Sequence, residues 1–164
     1  MRDVVLIAHD IRSCHNVGSL LRTAEGIGVT KVYLTGYTPY PATLNDSRLP
    51  HIATKLTNQI HKTALGAENL QPWEQSDDVL HVIHELKRAG YAISALEQAD
   101  TAIALHSYVP TEKIAVLLGR EVEGIDEALL QHVDTVLEIP MYGKKESFNV
   151  VQAAAMSLYH LRFA

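Results

Sequence analysis

The sequence contains a single cysteine, Cys14, among 164 residues. An internal disulfide is thereby excluded, and the chain suits a reducing, cytoplasmic compartment. No apolar run approaches the roughly 18 residues that a membrane span requires. The opening MRDVVLIAHDIR holds too short an apolar stretch for a secretory signal and reads as a first strand. Positive charge is not in excess: 14 Lys and Arg face 19 Asp and Glu, for a net charge of −5. That balance argues against a protein that grips a long nucleic-acid duplex, because each neutralised phosphate calls for a basic group. Arg12, Arg22, Arg48, Lys55, Lys62, Lys144 and Lys145 still suffice for a local basic patch. No glycine-rich turn follows the first strand; Gly26 and Gly28 stand before the second instead, so the dinucleotide-binding fingerprint is absent. Repeats, low-complexity tracts and interior boundaries are also lacking, and residues 1–164 are expected to form one domain.

What the sequence does contain is alternation. Five short apolar runs, at Asp3 to Ala8, Lys31 to Thr35, Tyr91 to Leu96, Ile114 to Leu118 and Thr135 to Ile139, have the length and composition of buried strands. Helical patterns lie between them, near Val17 to Gly26, Arg48 to Lys62, Asp77 to Ala89, Asp126 to Gln131 and Phe148 to Leu161. Strands alternating with helices predict an α/β fold, a parallel sheet with helices on both faces. The proline-bearing stretch from Thr35 to Pro50 reads as a long loop, and loops of that length are often functional.

Three stretches carry polar groups where such a sheet places ligands, at the carboxyl ends of strands. The first runs from Asn16 through Arg22 to Gly28, entering a helix after the first strand. A helix N-terminus there offers free N–H groups to an anion, and Arg22, under two turns in, is within reach of the same pocket. A plainer account makes Asn16 an N-cap and pairs Arg22 with Glu25. In the second, a strand-like run ends at Gly119 and is followed by Glu121 and Gly124. Glycine admits close approach of a ligand to the backbone, although a turn bearing solvated acids explains the same residues. In the third, Pro140 takes the chain out of the sheet. A loop with Gly143, Lys144 and Lys145 follows, and Ser147 or Asn149 opens a last apolar helix, with Ser147 the expected cap.

Taken in order, NxGxxxRxAxxxG from Asn16, LLGxExxG from Leu117, and IPMxGxxxSxNV from Ile139 resemble the three signature motifs of the SpoU (TrmH-like) RNA 2′-O-ribose methyltransferases. The resemblance runs from Asn16 to Tyr159. It implies a sheet whose C-terminal segment is threaded as a trefoil (α/β) knot, an exception to the rule against knots. It further implies a homodimer with its interface beside the active site, S-adenosylmethionine (SAM) as methyl donor and RNA as substrate. On this resemblance Arg22 is the leading candidate to activate the target hydroxyl, with Asn16, Glu121 and Asn149 as the other catalytic positions. The SAM pocket falls to Leu96, Gly119, Ile139, Ser147 and Phe148, largely through backbone groups. Two departures are Phe148, where leucine is common, and His160 after Tyr159, where glutamate is common.

The implied chemistry needs no metal. A ribose hydroxyl is a weak acid, so the protein must align it and ease loss of its proton. An arginine, with a pKa above 12, suits electrostatic lowering of the hydroxyl pKa better than proton abstraction. Cys14 is not required for ribose chemistry. His81 and His84, at i and i+3, read as a solvated helix face rather than half of a metal site. The acidic balance argues for a small RNA footprint or a patch built by two subunits. With no further RNA-binding segment in the sequence, tRNA is favoured over a ribosomal target. The alternative from another class is a non-catalytic RNA-binding protein on the same fold, and the intact set Asn16, Arg22, Glu121, Ser147 and Asn149 speaks against it.

Overall fold

The structure, a computed structural model, describes all residues 1–164. Seven strands form one sheet: β1 (Asp3–His9), β2 (Lys31–Thr35), β3 (Trp73–Ser76), β4 (Ala92–Leu96), β5 (Ile103–Ala104), β6 (Lys113–Leu118) and β7 (Thr135–Glu138). Their order is β3-β2-β1-β6-β4-β7-β5, and every pairing is parallel. The helices are α1 (Cys14–Ile27), α2 (Pro50–Ala64), α3 (Val79–Arg88), α4 (Glu127–Leu130) and α5 (Val150–Phe163). The predicted α/β class and the helices on both sheet faces are therefore observed.

The central strands explain why the apolar runs are continuous rather than alternating. In β1, Val4, Leu6 and Ala8 enter a core cluster shared with α1, α2 and α5, while Val5 and Ile7 enter a second cluster shared with α3 and α4. β6 divides in the same way, Ile114, Val116 and Leu118 against Ala115 and Leu117. Side chains of a strand alternate between faces, so a strand covered on both sides must be apolar at every position. Each fully buried Leu, Ile or Val contributes about 1.5–3 kcal/mol relative to exposure.

All five predicted strands are present within a residue or so at each end, but β3 and β5 escaped the reading. Both are sheet edges, of four and two residues, and neither is buried on both faces. Their sequences, WEQS and IA, therefore carry no apolar run to read. The long loop before α2 is organised around one side chain. Arg48 packs its guanidinium 3.6 Å from the centre of the Tyr40 ring, pairs with Asp46, and donates to the carbonyls of Tyr40 and Pro41. It is consumed in folding that loop and is not part of a basic patch. His160 also has a packing role: its Nε2 lies 2.8 Å from the Tyr108 carbonyl, tying α5 to the turn before β6.

Gly18, inside the first motif, is a packing residue. A Cβ there would lie 2.2 Å from the Ile60 carbonyl oxygen and 2.3 Å from Thr63 Oγ1, so α1 and α2 approach backbone to backbone. Thr63 Oγ1 uses that closeness to donate to the His15 carbonyl at 2.7 Å. Gly26, in the last turn of α1, has no atom within 4 Å of the equivalent position. Gly18→Ala should therefore lower stability by about 1–3 kcal/mol through overpacking. Gly26→Ala should raise it by about 0.4–1 kcal/mol, through lower unfolded-state entropy. Urea denaturation of the two variants checks both signs.

Candidate functional site

At the carboxyl ends of β4, β6 and β7 the chain encloses a cavity of about 270 Å³. Its walls are Leu96 to Gln98, Leu118 to Val122 with Gly124, and parts of the segment between Glu138 and Ala153. Leu96, Gly119, Ile139, Ser147 and Phe148, the five residues expected to hold a cofactor, all line it, and so does Glu121. Asn16, Arg22 and Asn149 are not among the lining residues. The apolar part includes Leu96, Leu118, Ile139, Met141 and Phe148, and the charged part comprises Glu97, Glu121, Glu138 and Glu146 with a single arginine, Arg120. An apolar slot rimmed by carboxylates matches a flat heterocycle carrying sugar hydroxyls and net positive charge.

The loop after β6 is a tight turn held from two sides. Arg120 and Gly124 exchange backbone hydrogen bonds at 3.2 and 3.1 Å, and Gly119 has no room for a Cβ, which would meet Ile125 Cγ1 at 2.5 Å. Gly124 adopts φ +72°, and a Cβ there would sit 2.3 Å from Glu97 Oε2. Glu97 is the residue that sequence reasoning missed. Its Oε2 accepts from the Ile125 N–H at 2.9 Å and its Oε1 from the Gln98 N–H at 2.9 Å. The end of β4 and the turn after β6 are thus one body. Only the glycine pattern hinted at this, since nothing in sequence announces which carboxylate will press against Gly124.

On its other side the turn meets α1. Glu121 Oε1 accepts from the Asn16 side-chain amide at 3.2 Å, and the N–H groups of Arg12 and Ser13 point at the same carboxylate at 3.4 Å. Negative charge at a helix N-terminus is favourable there. Asn16 is not the N-cap: Ser13 is, its Oγ accepting from the Asn16 N–H at 3.2 Å. The helix starts three residues earlier than the cap reading requires, which turns the Asn16 side chain toward Glu121. Likewise Asn149, not Ser147, caps α5, its Oδ1 accepting from the Val151 N–H at 2.9 Å. Arg22 is exposed and enters none of the ion pairs of the chain, so the pairing with Glu25 does not form.

Residues 3–159 match the SpoU rRNA Methylase family. The chain belongs to that family. It is 30% identical over 161 residues to the 23S rRNA (guanosine(2553)-2′-O)-methyltransferase of Bacillus subtilis (strain 168), covering 96% of this chain and 57% of that one. The chain spans about half the length of the curated relatives it matches. An AdoMet-bound rRNA methyltransferase from Sinorhizobium meliloti has the same fold, with a TM-score of 0.80 at 19% identity over 98% of this chain and 56% of that one. A chain from a structure concerning 2-OH methylation of C/U34 on tRNA superposes with a TM-score of 0.78 at 21% identity, covering 98% of this chain and 94% of that one.

Two other candidates in this SpoU-family chain are used differently. Burial raises the pKa of the Cys14 thiol, which keeps it protonated and unsuited to attack. His84 lies edge-on to His132, 5.8 Å between ring centres. At the end of β1, His9 is tied by Nδ1 to Thr35 Oγ1 at 3.0 Å, and burial lowers its pKa despite the opposing field of Asp10. The unfolded chain therefore takes up this proton first. The contribution of neutral His9 is complete above about pH 6.5 and is lost as pH falls through the lower folded value. His9→Asn should flatten that part of the stability profile measured by thermal melts between pH 5 and 8. For the turn, Gly124→Ala and Glu97→Ala should each cost about 1–3 kcal/mol. Hydrogen exchange of amides 119–125 should accelerate in both variants, and that of β1 should not.

Proposed function

We propose that the protein is a SAM-dependent RNA methyltransferase acting on a ribose 2′-hydroxyl, with tRNA favoured over rRNA. The observation that carries the reading is the cavity at the ends of β4, β6 and β7, in which all five residues expected at a SAM site meet Glu121. Its residues fit the donor. Leu96, Ile139 and Phe148 offer an apolar slot for an adenine, and the acidic rim suits a cation. The 2′-O-methyl specificity of the Bacillus relative supports the reaction class. The tRNA preference draws on the 2-OH methylation of C/U34 on tRNA named for a protein of the same fold.

When bound, SAM supplies a methyl group already activated on a positively charged sulfur. The protein has then to orient the hydroxyl and favour loss of its proton. We assign activation of the hydroxyl to Arg22, whose charge lowers the energy of a developing alkoxide. Glu121 and Asn16 hold α1 against the cavity wall, and Asn149 presents its free amide nitrogen while its oxygen caps α5. Within one chain Arg22 lies outside the cavity lining, so we assign it to the cavity of a second subunit. A homodimer is supported by the outer face of α5. Met156, Tyr159 and Phe163 follow one another at helical spacing, and the latter two are 63% and 48% exposed with rings 4.9 Å apart. Such an apolar stripe calls for a partner.

The C-terminal knot belongs to the same proposal. β7 lies inside the sheet between β4 and β5 rather than at its edge, and Gln98 Nε2 donates to the Glu146 carbonyl at 2.7 Å. Both features support a path for residues from about Ile139 onward through the loop at Gly119 to Gly124.

Titration calorimetry with SAM, followed by transfer of labelled methyl groups to bulk tRNA and rRNA and mapping of the product, tests the reading. No incorporation into any RNA would overturn it in favour of a non-catalytic RNA-binding role. Arg22→Ala should reduce transfer by several powers of ten with SAM affinity nearly unchanged, and Arg22→Lys should rescue poorly because lysine lacks the planar fork. Mixing Arg22→Ala with Asn149→Asp, which keeps an oxygen to cap α5, should restore activity through one intact site per heterodimer. Absence of recovery would place both residues in the same subunit.

A further inference from the structure

On the loop after β2 stands an aromatic side chain that no part of the proposed chemistry uses. Tyr37 is 54% exposed, yet the backbone carrying it is pinned on both sides. Before it, Gly36 adopts φ +64°, and Asp10, itself at φ 56°, accepts from the Tyr37 N–H through Oδ1 at 3.1 Å. A Cβ on Gly36 would lie 2.0 Å from that same oxygen. After it, Thr38 is buried. Its Oγ1 accepts from the Ile11 N–H at 3.0 Å and also lies 2.8 and 3.0 Å from the Thr35 and Ala8 carbonyl oxygens. An exposed tyrosine on a loop this constrained has little backbone freedom left to lose on contact.

Arg12 stands beside it. Asp10, which accepts from the Tyr37 N–H, and Ile11, whose N–H meets Thr38 Oγ1, lead directly into Arg12, and the Tyr37 hydroxyl is among the groups that raise the pKa of its guanidinium. Its Nη2 reaches Glu123 at 2.9 Å, and its own N–H points at Glu121. Arg12 thus joins the Tyr37 loop to the 119–124 turn, whose residues also line the cavity. The neighbourhood is not basic overall. Glu123 offsets Arg12 and Asp126 pairs with Arg120. A phosphate would find little net charge here, whereas the planar face of a nucleobase stacks on phenol and guanidinium without needing any.

We propose that Tyr37, with Arg12 at its edge, is the stacking platform for an unpaired base of the RNA substrate, adjacent to the ribose that is methylated. This rests on reading the neighbouring cavity as the site of RNA methylation, and it deepens that reading by requiring a single-stranded target. Tyr37 is then a positioning and specificity residue that takes no part in the transfer itself.

The test is steady-state methyl transfer to unmodified bulk tRNA, and to rRNA in parallel, at saturating SAM. It compares the wild-type protein with Tyr37→Ala, Tyr37→Phe and Tyr37→Leu, with melting temperature and SAM affinity measured alongside. Tyr37→Ala should raise KM for RNA about tenfold or more, with kcat changed far less and SAM affinity intact. Tyr37→Phe should stay within about twofold of wild type, and Tyr37→Leu should resemble Tyr37→Ala. An unchanged KM in Tyr37→Ala overturns this inference while leaving the methyltransferase reading standing. Leucine working as well as phenylalanine overturns stacking as the mode of contact. A wild-type protein that methylates no RNA overturns both.

Discussion

The tight turn from Gly119 to Gly124 is the constraint around which this molecule is arranged. It leaves no space for a side chain at Gly119, and Gly124 combines a left-handed backbone with a carboxylate pressed against its Cα. Glu97 ties its far end to β4, and Glu121 ties its near end to the start of α1. Two carboxylates thereby join three loops that leave different strands. The cavity wall, the first turn of α1 and the surface around Arg12 all take their positions from this one backbone bend. Hydrogen bonds from N–H groups to ionised carboxylates are among the stronger ones available, about 1.5–3 kcal/mol each.

This arrangement gives the recurring residues of the family plain physical duties beside any chemical ones. Gly18 is small because two helices touch, and Ser13 rather than Asn16 satisfies the helix start. Asn16 is released to meet Glu121, and Asn149 spends one of its two polar atoms on capping. A side chain that both caps a helix and faces a reaction is difficult to interpret by truncation, because removing it disturbs both. Substitutions that keep the cap and alter only the free atom separate the two effects.

The acidic net charge finds its place in the same picture. Arg48 is enclosed by its own loop, Arg12 and Arg120 are matched by acids, and Lys144 and Lys145 stand exposed beside the cavity. Such a surface contributes little long-range attraction to a polyanion. On the proposed function, recognition of RNA draws on shape, stacking and assembly of two subunits rather than on an extended basic face.

The amino-acid sequence by itself determined the central sheet, the helices and five of the residues that line the cavity. Continuous apolar runs, helical spacing and glycine or proline breaks are local signals, and three ordered motifs point to one family. The edge strands β3 and β5 were not legible, because strands of four and two residues without double burial leave no pattern. Nor were the true caps Ser13 and Asn149, since several polar residues in succession can each end a helix. Tertiary structure alone decided that Glu97 holds the turn, that Asn16 faces Glu121, and that Arg22 lies outside the cavity of its own chain. Those outcomes depend on which loops meet at the carboxyl end of the sheet. Contacts such as Glu97 with Ile125 and Asn16 with Glu121, 28 and 105 positions apart, leave no periodicity for a local reading to detect.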